Sequence, residues 1–161
     1  MWKHAYIILL LVVLAGCTHN LTVEDMTKYG NTSAMLGQDI ALGPNFFSKV
    51  DKAQNMGETV TCPTGEMAQQ VFTCKNGCSW KLELLNSQLA VETRDEFPLP
   101  IFHTKATYHL TCMLTGQGSR VPLSASATGK AGLSYTEAVS HAVNGALNNI
   151  ATQANMVTDK K

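Results

Sequence analysis

Cysteines supply the most versatile chemistry in this sequence, because a thiol can be acylated, oxidised to a disulfide or used to bind a metal ion. Cys17 lies alone near the N-terminus, directly after an apolar segment. The other four lie farther along the chain, at Cys62, Cys74, Cys78 and Cys112. The two groups have different surroundings, and we expect them to have different chemistry.

The segment before Cys17 is typical of a signal peptide. A positive charge at Lys3 precedes an apolar run over residues 5–13, which is shorter than the roughly 20 apolar residues of a membrane-spanning helix. The tetrad Leu14-Ala15-Gly16-Cys17 then resembles the bacterial lipobox. This resemblance implies that residues 1–16 are removed and that the Cys17 thiol is acylated, as in a bacterial lipoprotein. The alternative is an ordinary secretory signal with a chance cysteine.

Thr18, the second residue after the expected cleavage, bears on localisation. In the sorting rule that accompanies the lipobox resemblance, an Asp at this position favours retention in the inner membrane. Thr18 therefore predicts the outer membrane, with the protein lipid-anchored on its periplasmic face. About 145 residues then remain, which is enough for one domain with its own core.

The remaining four cysteines are an even set, and because the periplasm is oxidising we expect two disulfides, in one of three possible pairings. An Asn-Gly turn signal lies between Cys74 and Cys78, which favours a hairpin with these two cysteines facing each other. Cys62 would then pair with Cys112. A zinc site is the alternative, but the spacing lacks paired C-x-x-C motifs, and we expect no metal.

The sequence contains no G-x-S-x-G, H-E-x-x-H, P-loop or dinucleotide-binding motif. We therefore expect neither enzymatic activity nor a cofactor. Twelve basic and twelve acidic residues, without a basic stripe, argue against nucleic acid as a partner. The carboxylates of Glu92, Asp95 and Glu96 leave a small envelope hydrolase as an alternative.

A charged segment bounded by prolines, residues 94–100, is predicted to be a loop. A ligand- or inhibitor-type binding module, the other alternative function, could use this loop and the residues after it. Its candidate contacts are Arg94, Phe97, Phe102 and His103.

Residues 58–157 are predicted to form an α+β domain, and residues 17–57 a flexible tether in which Gly, Asn and Pro recur. Short strands are predicted at 58–62, 68–74, 79–85, 89–93, 105–114 and 120–128, with turns at 63–65, 86–88 and 115–119. A capping box, Ser134-Tyr135-Thr136-Glu137, precedes a helix, with Leu133 as a possible hydrophobic staple. The expected fold is an antiparallel β-sheet with one C-terminal amphipathic helix packed on it, braced by disulfides.

The C-terminal strand–turn–strand–helix, from Tyr108 onward, is similar in outline to the closing part of periplasmic envelope-assembly lipoproteins. These include the curli secretion-channel, polysaccharide-export and penicillin-binding-protein-activator types. The resemblance implies an accessory role in envelope assembly or secretion. We therefore expect a non-catalytic binding or scaffolding protein. Its partners would be the membrane, through the N-terminal lipid, and an envelope protein or further copies of itself.

Overall fold

The structure, a computed structural model, describes residues 17–29, 39–72, 74, 77–96 and 101–159. The expected signal peptide, residues 1–16, lies outside these ranges. The described elements, in chain order, are β1 (Thr18–Asn20), α1 (Val23–Thr27), β2 (Ile40–Leu42), β3 (Asp51–Asn55), β4 (Glu58–Cys62), α2 (Thr64–Val71), β5 (Trp80–Glu96), β6 (Ile101–Gly116), β7 (Ser119–Ala131) and α3 (Tyr135–Thr158). A short 3₁₀ helix, Pro44–Phe46, lies between β2 and β3.

The strands that the structure describes form two mixed sheets. The large sheet has the order β2-β5-β6-β7, in which β5, β6 and β7 form an antiparallel meander and β2 pairs with β5 in parallel. In the small sheet β4 lies between β1, which is parallel to it, and β3, which is antiparallel. The α+β class is confirmed. The expected antiparallel arrangement is only partly right, because β1 and β2 add to the sheets in parallel.

β5 is one continuous strand of 17 residues. The expected pair of strands with a turn at 86–88 is therefore wrong. The cause is a β-bulge: Leu84 pairs with Cys112 and Asn86 pairs with Thr111, so the intervening Leu85 is an extra residue. An extra residue reverses the alternation of inward and outward side chains, which resembles a turn when only the sequence is considered. The buried side chains are Trp80, Leu82 and Leu84 before the bulge and Leu89 and Val91 after it.

The turn between β6 and β7 lies within the predicted range. Gln117 and Gly118 both have positive φ, at 48° and 74°, which is the backbone of a two-residue type I′ hairpin. Gly116 and Ser119 flank this turn as a cross-strand pair. The two strands are longer than expected because inward positions near their ends, such as Thr104 and Gly129, carry no large apolar side chain, so the hydrophobic alternation fades there.

Helix α3 packs on β6 and β7 and also contacts α1 and α2. Its start is confirmed, since the Ser134 hydroxyl accepts a hydrogen bond from the Glu137 N–H at 3.2 Å. The predicted apolar stripe is fully buried and comprises Val139, Ala142, Val143, Ala146, Leu147, Ile150 and Ala154. Leu133 is not a hydrophobic staple, because 72% of it is exposed.

The turn expected at 63–65 and the strand expected at 68–74 are replaced by helix α2. Its buried side chains recur at helical spacing and include Met67, Ala68 and Val71, whereas Gln69 and Gln70 are exposed. In the sequence this segment resembles a strand because it is short and ends in Val71 and Phe72, two residues that favour strands.

The range expected to be a tether, residues 17–57, belongs to the folded body wherever the structure describes it. β1 and β3 pair with β4, and β2 pairs with β5. The tether prediction failed because the inward side chains of β3 are Asp51, Ala53 and Asn55. Polar residues at inward positions give no hydrophobic alternation, so the strand is not recognisable in the sequence.

Candidate lipidation site and binding surface

Cys17 is the first described residue, and its side chain is exposed. Its carbonyl oxygen accepts a hydrogen bond from the Thr59 N–H at 3.0 Å, and β1 begins at the next residue, Thr18. The thiol predicted to be acylated is therefore accessible. It is also attached directly to the folded body and not to the end of a flexible tether.

The strand after Cys17 is held by a small polar cluster. His19 Nε2 lies 3.2 Å from Glu58 Oε2, and the His19 ring lies 4.9 Å from the Tyr135 ring. These contacts join β1 to the start of β4 and to the first residue of α3. The N-terminal strand and the N-terminus of the long helix therefore lie at the same end of the molecule.

Asn55 brings the β5–β6 hairpin to this same end. Its Nδ2 donates to Thr93 Oγ1 at 2.7 Å and to the Tyr135 hydroxyl at 3.0 Å, while its Oδ1 accepts from the Thr93 N–H at 3.2 Å. Thr93 pairs with Thr104, whose N–H donates to the Gly132 carbonyl at 2.7 Å. We call this region, defined by Cys17, Asn55, Thr93, Thr104 and Tyr135, the Cys17 end.

Residues 94–96, the part of the candidate binding loop that the structure describes, belong to strand β5. Arg94 on β5 lies directly opposite His103 on β6. Phe102, the residue before His103, has 48% of its surface exposed. Phe97 lies outside the described residues. The structure therefore places Arg94 and His103 on one face of the extended β5–β6 hairpin and Phe102 on the opposite face, all three near the Cys17 end.

Glu92, one of the carboxylates considered for hydrolysis, is half-buried and paired with cations. Its Oε2 accepts from Arg94 Nη2 at 3.0 Å, and its Oε1 lies 3.4 Å from Lys105 Nζ. The hydrogen bond from Arg94 is the main cause of a lowered Glu92 pKa. A general acid needs a raised pKa, so these contacts suit a charge pair better than proton donation.

The outer face of the large sheet, on the side away from α3, is open and polar. Its centre consists of three cross-strand rows: Asn86–Thr111–Ser124, Gln88–His109–Ser126 and Ala90–Thr107–Thr128. His109 is exposed there. Charged residues border the centre on both sides: Lys81, Glu83 and Arg120 at one end, and Glu92, Lys105 and Lys130 at the other. We call this surface the polar sheet face.

A buried carboxylate was not anticipated from the sequence. Asp51 is 5% exposed, and each of its oxygens has two partners. Oδ1 accepts from Ser87 Oγ at 2.8 Å and lies 3.3 Å from Lys49 Nζ; Oδ2 accepts from Thr64 Oγ1 at 2.6 Å and from the Tyr108 hydroxyl at 3.0 Å. Such a carboxylate is fully compensated, and it joins β3 of the small sheet to β5 and β6 of the large one. The sequence does not indicate it, because β3 has no hydrophobic alternation and its inward residues Asp51 and Asn55 are polar.

The structure confirms one of the two disulfides. Cys74 and Cys78 are bonded, with Cα atoms 6.1 Å apart, although they lie between α2 and β5 and not in a hairpin. The second disulfide is wrong: Cys62 and Cys112 are free and buried. They lie on β4 and β6, which are not neighbours in either sheet, and Cys62 Sγ contacts Met26 Sδ at 3.5 Å. Burial raises the pKa of each of these thiols to about 12.

Among the described residues, no group of three His, Cys, Asp or Glu side chains is arranged to hold a metal ion. Of the helices in the described ranges, none combines the length and apolar character needed to cross a bilayer.

Comparison with known proteins gives little. No family model matches the sequence, and no curated protein matches it. One solved structure, described as "Crystal structure of uncharacterized protein", has 8% sequence identity and a TM-score of 0.38, over 90% of this chain and 98% of the other.

Proposed function

We propose that this protein is a bacterial lipoprotein, acylated at Cys17 and anchored in the outer membrane, whose periplasmic domain binds or scaffolds another envelope component without catalysing a reaction. The observation that carries the anchoring is the position of Cys17. It ends a lipobox-like tetrad and is an exposed residue directly before β1.

The binding role rests on the polar sheet face. Three long strands present hydroxyl, amide and imidazole groups in aligned rows, with Thr107 Oγ1 and Thr128 Oγ1 3.4 Å apart. Such groups can donate and accept hydrogen bonds to a flat partner surface, and the bordering charges can fix its orientation. Because α3 packs on the opposite side of the sheet, the polar sheet face remains available to a partner in the part of the chain that the structure describes.

Site-specific photocrosslinking in living cells tests the binding role. A photoreactive amino acid at His109, in the centre of the polar sheet face, should give a discrete crosslinked product whose second component is an envelope protein or another copy of this chain. The matched control is the same amino acid at Asn149, an exposed position on α3. Equal crosslinking at both positions, or none at His109, would contradict a binding function for this face.

Localisation has its own test, since Thr18 is exposed in β1 and tolerates a polar substitution. Thr18→Asp should move the protein from the outer-membrane to the inner-membrane fraction, while Thr18→Ser should leave it in place. If Thr18→Asp remains with the outer membrane, the localisation part of the proposal fails.

A further inference from the structure

We infer that the Cys17 end of the domain lies against the lipid bilayer, with Met56, Leu133 and Phe102 as its apolar contacts. The inference rests on the proposed acylation of Cys17 and specifies how the anchored domain is oriented. Its partner is a phospholipid surface, which buries side chains of this kind at the boundary between headgroups and acyl chains.

Met56 is the first of these contacts. It lies in the turn between β3 and β4 and is 78% exposed. Asn55 and Glu58 flank this turn as a cross-strand pair. The N–H of the next residue, Thr59, donates a hydrogen bond to the Cys17 carbonyl. An exposed methionine is thus positioned one strand away from the residue predicted to carry the lipid.

Leu133 is the second contact and is 72% exposed. It follows Gly132, whose carbonyl accepts a hydrogen bond from the Thr104 N–H, and it precedes Ser134, the N-cap of α3. Tyr135, two residues later, contacts the His19 ring. Two residues span at most about 7 Å, so Leu133 lies close to β1.

Phe102 is the third contact. It lies on β6 two residues before Thr104, on the part of the β5–β6 hairpin that extends beyond the end of β7. Its exposed ring lies at the same end of the molecule as the exposed side chains of Met56 and Leu133, so three large apolar side chains are grouped there.

The short link to the lipid brings these side chains to the membrane. β1 begins one residue after Cys17, and consecutive Cα atoms are about 3.8 Å apart. Acyl chains inserted at Cys17 therefore hold the Cys17 end at the headgroups, without a flexible spacer. The acyl chains supply the anchoring, while the apolar side chains determine which surface of the domain faces the bilayer.

Quenching of tryptophan fluorescence by brominated lipids tests this orientation in the lipidated protein. The processed chain would contain one tryptophan, Trp80, which is buried and pairs with Gly116 at the far end of the large sheet. The reporter variants are Met56→Trp, Leu133→Trp and Phe102→Trp, each reconstituted into vesicles of brominated phosphatidylcholine. The control is Met156→Trp, which is 60% exposed but lies near the other end of α3.

The three reporters should lose much of their emission, whereas the Met156→Trp variant and the parent protein should lose little. Three independent positions keep the test decisive if one variant folds poorly. Quenching of the reporters no greater than that of Met156→Trp would overturn the inference. Mass spectrometry of the same samples separates the two proposals: an acylated protein without selective quenching refutes only the orientation, whereas a chain without acyl groups refutes the proposed lipidation.

Discussion

The hydroxyl of Tyr108 donates to Oδ2 of Asp51 at 3.0 Å, and this bond joins the two sheets of the fold. Tyr108 belongs to β6 and is fully buried, while Asp51 is the first residue of β3. A buried carboxylate destabilises a fold unless hydrogen bonds replace its hydration, and here Thr64, Ser87 and Lys49 provide the remaining partners.

Tyr108→Phe should therefore lower the free energy of unfolding by about 1.5–3 kcal/mol, the range for a hydrogen bond to a charged group. The side chain keeps its shape, so the loss reports the missing hydroxyl and not a cavity. Urea denaturation followed by circular dichroism measures it. Tyr29→Phe, at an exposed tyrosine, is the control and should change stability by less than about 0.5 kcal/mol. Equal stability of both variants would show that the Asp51 cluster is unimportant.

The state of the cysteines gives a second prediction. In a Cys17→Ser domain, the native protein should react slowly with a thiol reagent, because Cys62 and Cys112 are buried. Unfolding without reductant should expose two thiols, and reduction should expose four, since the Cys74–Cys78 bond then opens. A count of zero after unfolding without reductant would mean that Cys62 and Cys112 are bonded after all.

Alkaline pH should weaken the fold. Burial raises the pKa of both Cys62 and Cys112 from an ordinary 9.0 to about 12, so the folded state holds these protons more tightly than the unfolded state. The resulting stability is complete below pH 9 and is lost as the pH rises from there toward 12. Urea denaturation midpoints measured at intervals between pH 8 and pH 11 should fall as the pH rises. Midpoints that do not change over this range would contradict the prediction. The Cys62→Ala, Cys112→Ala double variant should show a smaller decline.

The fourth prediction concerns Gly129, where α3 packs closely on β7. A Cβ atom added at Gly129 would collide with the Ala138 carbonyl oxygen and approach His141 Cβ to 2.8 Å. Gly129→Ala should therefore destabilise the domain by about 1–3 kcal/mol in urea denaturation. Gly132→Ala is the matched control, because no atom lies within 4 Å of its added Cβ. If both variants unfold at the same urea concentration, the helix does not pack on β7 as described.

The sequence predicts the β6–β7 turn and helix α3 well. Ser134 with Glu137, the apolar stripe of α3 and the turn at Gln117 and Gly118 are local signals, and each has the structure expected. Local physical chemistry decides these elements, because capping, helical periodicity and positive φ depend on residues close together in the chain.

The N-terminal half depends on contacts between distant residues and is harder to predict. Asp51 and Asn55 occupy inward positions of β3 only because Tyr108, Ser87 and Thr93 provide partners from other strands. The same holds for the Cys17 end, where Met56, Leu133 and Phe102 are distant in the sequence. No period in a single sequence indicates such groupings, although the tetrad that ends at Cys17 predicts this residue as the lipidation site.

The N-terminal mass of the membrane-extracted protein tests the central claim most directly. The processed chain should begin at Cys17 and carry the added mass of acyl groups on that residue, and Cys17→Ser should accumulate as an unacylated precursor. A wild-type chain that begins at another residue, or a Cys17→Ser variant that is processed and acylated like the wild type, would contradict the account.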